Sequence, residues 1–206
     1  MSPSNQTFDN LPDEKRRRVL AEATREFADH GYHQASVNRI VSRLGIAKGS
    51  LFKYFGNKQG LFEYLFERSM DGLKRPLKAI RDDADADFFQ SVERTLLAGA
   101  AFIDAHPFIY RIYLKMVHQE DFPLRERFLG RIRGASDKYL HELVARSVAD
   151  GQLRPDLDQA MAVYHVESVM DRFLQDHALS PSDANPETKA RAVTDFLRNG
   201  LAALPQ

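Results

Sequence analysis

The chain has 206 residues, of which 43% are hydrophobic and 14 are phenylalanine, so it can bury a core and is not disordered over most of its length. Its 29 basic side chains balance its 29 acidic ones, but residues 1–60 hold ten basic against six acidic, which leaves +4 there and −4 in the remainder. The lack of cysteine excludes disulfides and thiol chemistry, and the short apolar runs favour a cytoplasmic protein over a membrane protein.

The N-terminal segment is largely polar, and we expect residues 1–10 to form a flexible tail. A first helix is predicted from about Leu11 to Asp29, with Asn10 as its cap and Gly31 as its end. This helix is expected mainly to support the fold around it. Its basic run, Lys15–Arg18, suggests contact with a phosphate backbone as an alternative role.

Residues 35–61 show two short helical patterns joined by a turn at Gly45. The first pattern is an apolar stripe at i, i+3, i+4 and i+7, formed by Val37, Ile40, Val41 and Leu44. In the second, Leu51 and Phe55 lie one turn apart and are expected to point inward. No Asp or Glu occurs between residues 30 and 62, whereas five cations do: Arg39, Arg43, Lys48, Lys53 and Lys58. Two short helices on an acid-free segment predict a helix-turn-helix that binds DNA.

The remainder of the chain is predicted to be helical. A fourth helix should begin at Lys58 and end near Gly72 and Pro76. Apolar spacing predicts five more helices, at about 83–105, from Pro107, from Pro123 to about 150, at about 157–177 and at about 187–204. No alternating strand pattern is present, so the fold class is expected to be all-α with about nine helices.

The N-terminal motif resembles that of the TetR family of bacterial transcriptional regulators. Phe27, Gly31 and Tyr32 fit the end of that family's first helix. The matches in the helix-turn-helix that follows are Ser36, Ile40, Gly45, Ile46, Lys48, Gly49, Leu51, Tyr54, Phe55, Lys58 and Leu61. Three positions depart from the pattern: Ala47 and Phe52 each lack a hydroxyl common in the family, and Val41 replaces a smaller residue.

The resemblance implies which residues contact DNA. Lys48, Gly49, Phe52 and Lys53 are expected at base edges in the major groove, and Ser36, Ser50, Tyr54 and Lys58 at phosphates. The alternative for the lysines is a solvated charge, and for Tyr54 a buried ring. Arg39 and Arg43 are expected to be surface residues.

The resemblance also implies a division of the chain into a DNA-binding head at 11–57, a connecting helix at 58–76 and an effector-binding and dimerisation domain at 77–206. Candidate effector-pocket residues are Phe66, Phe102, His106, Tyr110, Tyr113, Met116, Tyr139 and Met170. Candidate dimer-interface residues are Val166, Met170, Phe173, Val193, Phe196 and Leu197. Either set is alternatively ordinary core.

The predicted function is a transcriptional repressor that binds a palindromic operator in double-stranded DNA as a homodimer and is released by a small, apolar effector. No cofactor, metal or catalytic motif is expected: the chain has no phosphate-binding glycine loop, no HExxH and no nucleophile elbow. The alternatives are an activator or ligand-insensitive regulator of the same fold, or a helical ligand-binding protein that no longer binds DNA.

Overall fold

The computed structural model describes residues 7–118, 125–180 and 185–202, and within these ranges the regular structure consists of helices without a β-strand. After a short helical turn at residues 7–9, the helices of the described ranges are α1 (Asp13–Gln34), α2 (Val37–Leu44), α3 (Lys48–Phe55), α4 (Lys58–Arg81), α5 (Phe88–Ala105), α6 (Pro107–His118), α7 (Arg125–Ala149), α8 (Gln159–Leu179) and α9 (Pro186–Leu201). The all-α prediction is confirmed. The predicted helix start at Pro123 lies outside the described residues.

Glycines with positive φ end the first two helical segments of the head. Gly31 lies inside the bounds of α1 with φ 69°, so the regular helix is interrupted there, as predicted. Gly45 follows α2 with φ 67° and donates its N–H back to the carbonyl of Ser42 at 3.3 Å. Both positions lie in the left-handed region that glycine adopts without strain.

Two predicted helix boundaries differ from the structure. α1 begins at Asp13 after Pro12, which makes no side-chain cap, so Asn10 is not the cap. α4 does not end at Gly72 or Pro76 but continues to Arg81 with Pro76 inside it. Proline removes one helical hydrogen bond, and here that loss does not stop the helix.

Residues 7–10 pack against the head. Phe8 is fully buried, with its ring centroid 4.7 Å from that of Phe55 and 5.4 Å from that of Tyr64. Asp9 accepts a hydrogen bond from the Tyr64 hydroxyl. The flexible-tail prediction is therefore wrong for residues 7–10, because burying a phenylalanine ring stabilises that segment by about 2 kcal/mol. Residues 1–6 of the predicted tail lie outside the described residues.

The chain divides into two compact units, Met1–Gly72 with His106–Arg125, and Leu73–Ala105 with Glu126–Gln206. The first unit contains the predicted head and also α6, which packs along α1. Arg111 of α6 pairs with Asp29 of α1 at 3.0 Å, and Lys115 donates to the Asp29 carbonyl at 3.3 Å. The first unit therefore includes a helix that was predicted to belong to the C-terminal domain.

The second unit has its own apolar core, where α5 packs against α8 and α9. Its fully buried side chains include Phe88, Leu96 and Val166. A Cβ on Gly99 of α5 would lie 2.6 Å from the side chain of Leu174 on α8, so glycine permits this close packing.

Candidate nucleic-acid interface

The helix-turn-helix is formed by α2 and α3, of which α2 packs on α1 and α3 packs on α2. Ser36 caps α2 by accepting a hydrogen bond from the N–H of Arg39 at 3.4 Å. On α3, Leu51 and Phe55 are 1% and 5% exposed, so they hold the helix on the head as predicted. Ala47, which precedes α3, is exposed and gives no side-chain cap.

The opposite side of α3 faces solvent. Lys48, Gly49 and Lys53 are exposed, and Phe52 is half-buried with the Lys48 Nζ 5.4 Å from its ring centroid. A Cβ built on Gly49 would meet no atom of the described residues within 4 Å, so packing against them does not require glycine there. The four residues predicted to approach base edges therefore share one accessible helix surface, which we call the α3 face.

The two arginines of α2 are bound to the acidic side chains of α1. Glu26 is 1% exposed, and its carboxylate accepts hydrogen bonds from the Ser36 N–H at 2.9 Å, Arg39 Nε at 2.8 Å and Arg43 Nη2 at 2.8 Å. Burial raises the pKa of a carboxyl, but these hydrogen bonds outweigh it and lower the pKa of Glu26 to about 2. Arg43 also donates to Glu22 at 2.7 Å.

This network was not predicted from the sequence. Arg39 and Arg43 were expected to be surface residues, and Glu26 was given no role. Since Glu26 remains ionised at neutral pH, it locks α2 to α1 and neutralises part of the basic charge counted in the acid-free stretch. Within the described residues, Lys48 and Lys53 have no ion-pair partner.

Lys58, predicted to contact phosphate, has backbone partners in the head. Its Nζ donates to the carbonyls of Tyr32 at 2.8 Å, His33 at 3.0 Å and Ala35 at 3.3 Å, and lies 4.8 Å from the Tyr32 ring centroid. An ammonium has three donors, so these carbonyls account for all of them. Lys58 thus ties the start of α4 to the end of α1.

The other predicted phosphate contacts are half-buried in the structure. Ser50 lies in the first turn of α3 and its N–H donates to the carbonyl of Ala47 at 3.0 Å. Tyr54 packs its ring 5.5 Å from that of Phe8. A phosphate contact by Ser36, Ser50 or Tyr54 remains a prediction.

The predicted effector-pocket residues lie in both units. In the first unit Phe66 and Met116 are buried, Tyr110 and Tyr113 are half-buried with ring centroids 5.5 Å apart, and His106 is exposed. In the second unit Phe102, Tyr139 and Met170 are half-buried, and the buried Tyr139 hydroxyl has no hydrogen-bond partner among the described residues. The assignment of these residues to a pocket remains a prediction.

Three of the predicted dimer-interface residues are corrected by the structure. Val166, Phe173 and Leu197 are 0%, 2% and 4% exposed and belong to the core of the second unit, so they have no surface to offer a partner. Met170 and Val193 are half-buried, whereas Phe196 on α9 is 75% exposed. The exposed apolar side chains missed on α8 are Met161, Tyr164 and Leu179.

Among the described residues, no three His, Asp or Glu side chains lie close enough together to hold a metal ion. Over those residues, no helix is both long enough and apolar enough to cross a bilayer.

Comparisons with known proteins agree with this geometry. A family model described as bacterial regulatory proteins, tetR family, matches residues 19–65. The crystal structure of a TetR family transcriptional regulator from Chloroflexus aurantiacus is 30% identical with a TM-score of 0.78, and the match covers 97% of this chain and 98% of that one. The HTH-type transcriptional repressor AcnR of Corynebacterium diphtheriae is 26% identical over 190 residues, 90% of this chain and 92% of the relative.

The transcriptional regulator FadR of Bacillus subtilis, solved in complex with stearoyl-CoA, shares the fold with a TM-score of 0.73 at 18% identity, over 89% of this chain and 98% of that one. Family membership rests on the Chloroflexus protein, which is similar over nearly its whole length, and on the match across the head. The chain therefore belongs to the TetR family of bacterial transcriptional regulators, and it is a DNA-binding regulator rather than an enzyme.

Proposed function

We propose that the protein is a repressor that binds a palindromic operator as a homodimer and leaves it when a small, apolar effector binds. The α3 face carries this proposal, because it places two lysines, a glycine and an aromatic ring on one exposed helix surface. In the proposed division of the chain, residues 11–57 bind DNA, 58–76 form the connection, and 77–206 bind the effector and the second subunit.

Each residue of the α3 face has a chemical role at the major groove. Lys48 and Lys53 donate to guanine N7 and O6, and Phe52 contacts a thymine methyl group. Gly49 brings the helix backbone close to the bases, which explains a glycine where the head has room for a side chain. Ser36, Ser50 and Tyr54 hold phosphates and set the register.

A single α3 face spans too few base pairs for useful specificity, so two heads must bind two half-sites. The exposed apolar side chains of the second unit offer a surface for a second copy: Met161, Tyr164, Leu179 and Phe196. A two-fold dimer formed through α8 and α9 covers these side chains, and the operator then shares its symmetry. Half-buried Met170 and Val193 remain proposed contributors to this interface.

The effector is proposed to act through helices that contact the head. α6 carries three of the candidate pocket residues and packs on α1, where Arg111 pairs with Asp29. An effector that favours another position of α6 shifts the population away from the DNA-competent head. A coupling free energy of about 3 kcal/mol changes operator affinity about 150-fold. The aromatic and methionine side chains favour an apolar ligand such as an acyl chain, and the FadR structure contains stearoyl-CoA.

The test of DNA recognition is a selection of genomic fragments with the full chain, followed by mobility-shift titrations at several salt concentrations. We expect a palindromic consensus and a binding constant that falls steeply with salt. Binding without salt dependence and without preference for any palindrome would contradict the regulator proposal. A reporter under the selected operator distinguishes repression from activation by the sign of its response.

The test of the effector uses the selected duplex and stearoyl-CoA, with free coenzyme A as the matched control. We expect stearoyl-CoA to weaken operator binding by tenfold or more and coenzyme A to leave it unchanged. Equal effects of the two ligands would show that the acyl chain is not recognised.

A further inference from the structure

A groove at the start of α1 lies beside the turn of the helix-turn-helix. It has a volume of ≈ 240 Å³, and its apolar floor consists of Val19 on α1 with Leu44 and Ile46 on either side of Gly45. Lys15 and Arg18 lie along its edge. Ile46 lies two residues before Lys48, and two residues of extended chain span at most about 7 Å. The groove is therefore close to the start of the α3 face.

On the side of α1 that faces α2, the basic side chains lie near the start of the helix and the acidic side chains lie further along it. Lys15, Arg18, Glu22 and Glu26 follow at i, i+3, i+7 and i+11, which places them on one side of the helix. The two glutamates bind the arginines of α2. The two cations are exposed and have no ion-pair partner within the part of the chain that the structure describes. The positive charge on this side is therefore concentrated next to the groove.

The fold gains little from this arrangement. Like charges at i and i+3 on a helix repel, and a cation in the first turn opposes the helix dipole. The neighbouring Arg16 differs, because it is held by Asp13 and by the carbonyl of Asp9. Within the described residues neither Lys15 nor Arg18 forms an ion pair that would offset this local cost, so the arrangement favours an external anion.

We propose that Lys15 and Arg18 form a second contact with DNA, in which they bind backbone phosphates beside the start of α3. This inference rests on the proposed DNA-binding function. The two cations pair with phosphates, and the half-buried Ile46 side chain at the groove contacts deoxyribose. The contact supplies charge where Ala47 has no hydroxyl to offer a phosphate. Glu14 also lies at the groove and opposes binding there.

The experiment compares variants of the full chain on the selected duplex and on a random-sequence duplex over a salt series. The double variant Lys15→Gln/Arg18→Gln should weaken binding to both duplexes alike, by roughly tenfold, and lower the salt slope by about 2 per bound head. Arg17→Gln, which removes an exposed charge of the same helix away from the groove, is the matched control. Glu14→Gln should tighten binding to both duplexes several-fold.

The outcomes separate this contact from the proposed function. A double variant with the same slope as Arg17→Gln overturns the contact, whereas an unchanged wild-type preference for the selected duplex leaves the regulator proposal intact. Wild-type protein that binds both duplexes equally contradicts specific regulation, and the slope difference still tests the contact. Absence of any DNA binding overturns both. Circular dichroism melts confirm that each variant is folded.

Discussion

Helices α2 and α3 are both eight residues long and each carries two cations, but their charges have different partners. Arg39 and Arg43 of α2 bind buried and half-buried carboxylates of α1, with N–O distances down to 2.6 Å. Lys48 and Lys53 of α3 extend into solvent. The two cations of α2 therefore stabilise the fold, whereas the two cations of α3 are available for DNA. A count of basic residues alone does not locate a binding surface.

The largest expected effect comes from removing the carboxylate that organises α2. Glu26→Ala leaves two arginines without their buried partner and should destabilise the fold by about 3–5 kcal/mol. Urea denaturation followed by circular dichroism measures this loss. Glu22→Ala is the control, because Glu22 is more exposed and, among the described residues, bonds to Arg43 alone, and it should cost less than about 1 kcal/mol. Equal losses in the two variants would contradict a special role for Glu26.

The same carboxylate predicts how stability depends on acid. The pKa of Glu26 is lowered from 4.5 to about 2 in the folded protein, so the folded state binds fewer protons than the unfolded state between these values. The stabilisation, roughly 3 kcal/mol, is therefore complete above about pH 4.5 and is lost as pH falls towards 2. Comparing wild type with Glu26→Gln between pH 6 and pH 3 isolates this contribution. Parallel curves for the two proteins would contradict it.

The sequence allowed the head to be predicted because its pattern is local. Apolar spacing identified α2 and α3, and Gly31 and Gly45 marked turns that the structure contains. The partners of individual charges depended on tertiary packing. Glu26 is separated from Arg39 by 13 positions, and no periodicity connects them. Phe8 was missed for the same reason, since its contacts with Phe55 and Tyr64 are distant in sequence.

The C-terminal half shows the limit of pattern reasoning most clearly. An amphipathic helix shows which side chains are apolar, but it does not distinguish the core of its own subunit from an interface. Val166 and Phe196 were predicted to share one role, yet they are 0% and 75% exposed. The sequence also did not reveal that α6 belongs to the same compact unit as the head, because this depends on its contact with α1 and not on the sequence of α6 itself.

The second group of expected effects separates affinity from stability. Lys48→Ala should weaken binding to the selected operator by about 1–3 kcal/mol, because it removes a base contact, and should leave the melting temperature unchanged. Arg43→Gln should show the reverse, a stability loss of about 1–2 kcal/mol with little change in the salt slope. Mobility-shift titrations give the operator affinity of each variant, and thermal melts give its melting temperature. A loss of salt slope in Arg43→Gln would show that this arginine also contacts DNA.

Lys58 has two possible roles, since it either stabilises the head through backbone carbonyls or binds a DNA phosphate. If its main task is to bind the three carbonyls at the end of α1, Lys58→Met should reduce stability by about 1–2 kcal/mol and leave the salt slope unchanged. If it binds phosphate in the complex, the slope should fall by about 1 per head and all duplexes should be affected alike. Denaturation and a salt series on the same preparation distinguish the two results.

The smallest expected effect on stability comes from substituting Gly49. This substitution should affect stability and DNA binding in opposite directions. Nothing within 4 Å opposes a Cβ there, and alanine is the better helix former, so Gly49→Ala should stabilise the protein by about 0.5–1 kcal/mol. If the backbone at Gly49 lies close to the bases, the same methyl group should weaken operator binding markedly. Gly130→Ala on α7 is the matched control, since a Cβ there also meets nothing and the residue is distant in sequence from the head. A Gly49→Ala protein that is more stable and binds the operator as well as wild type would show that the DNA does not approach this part of α3.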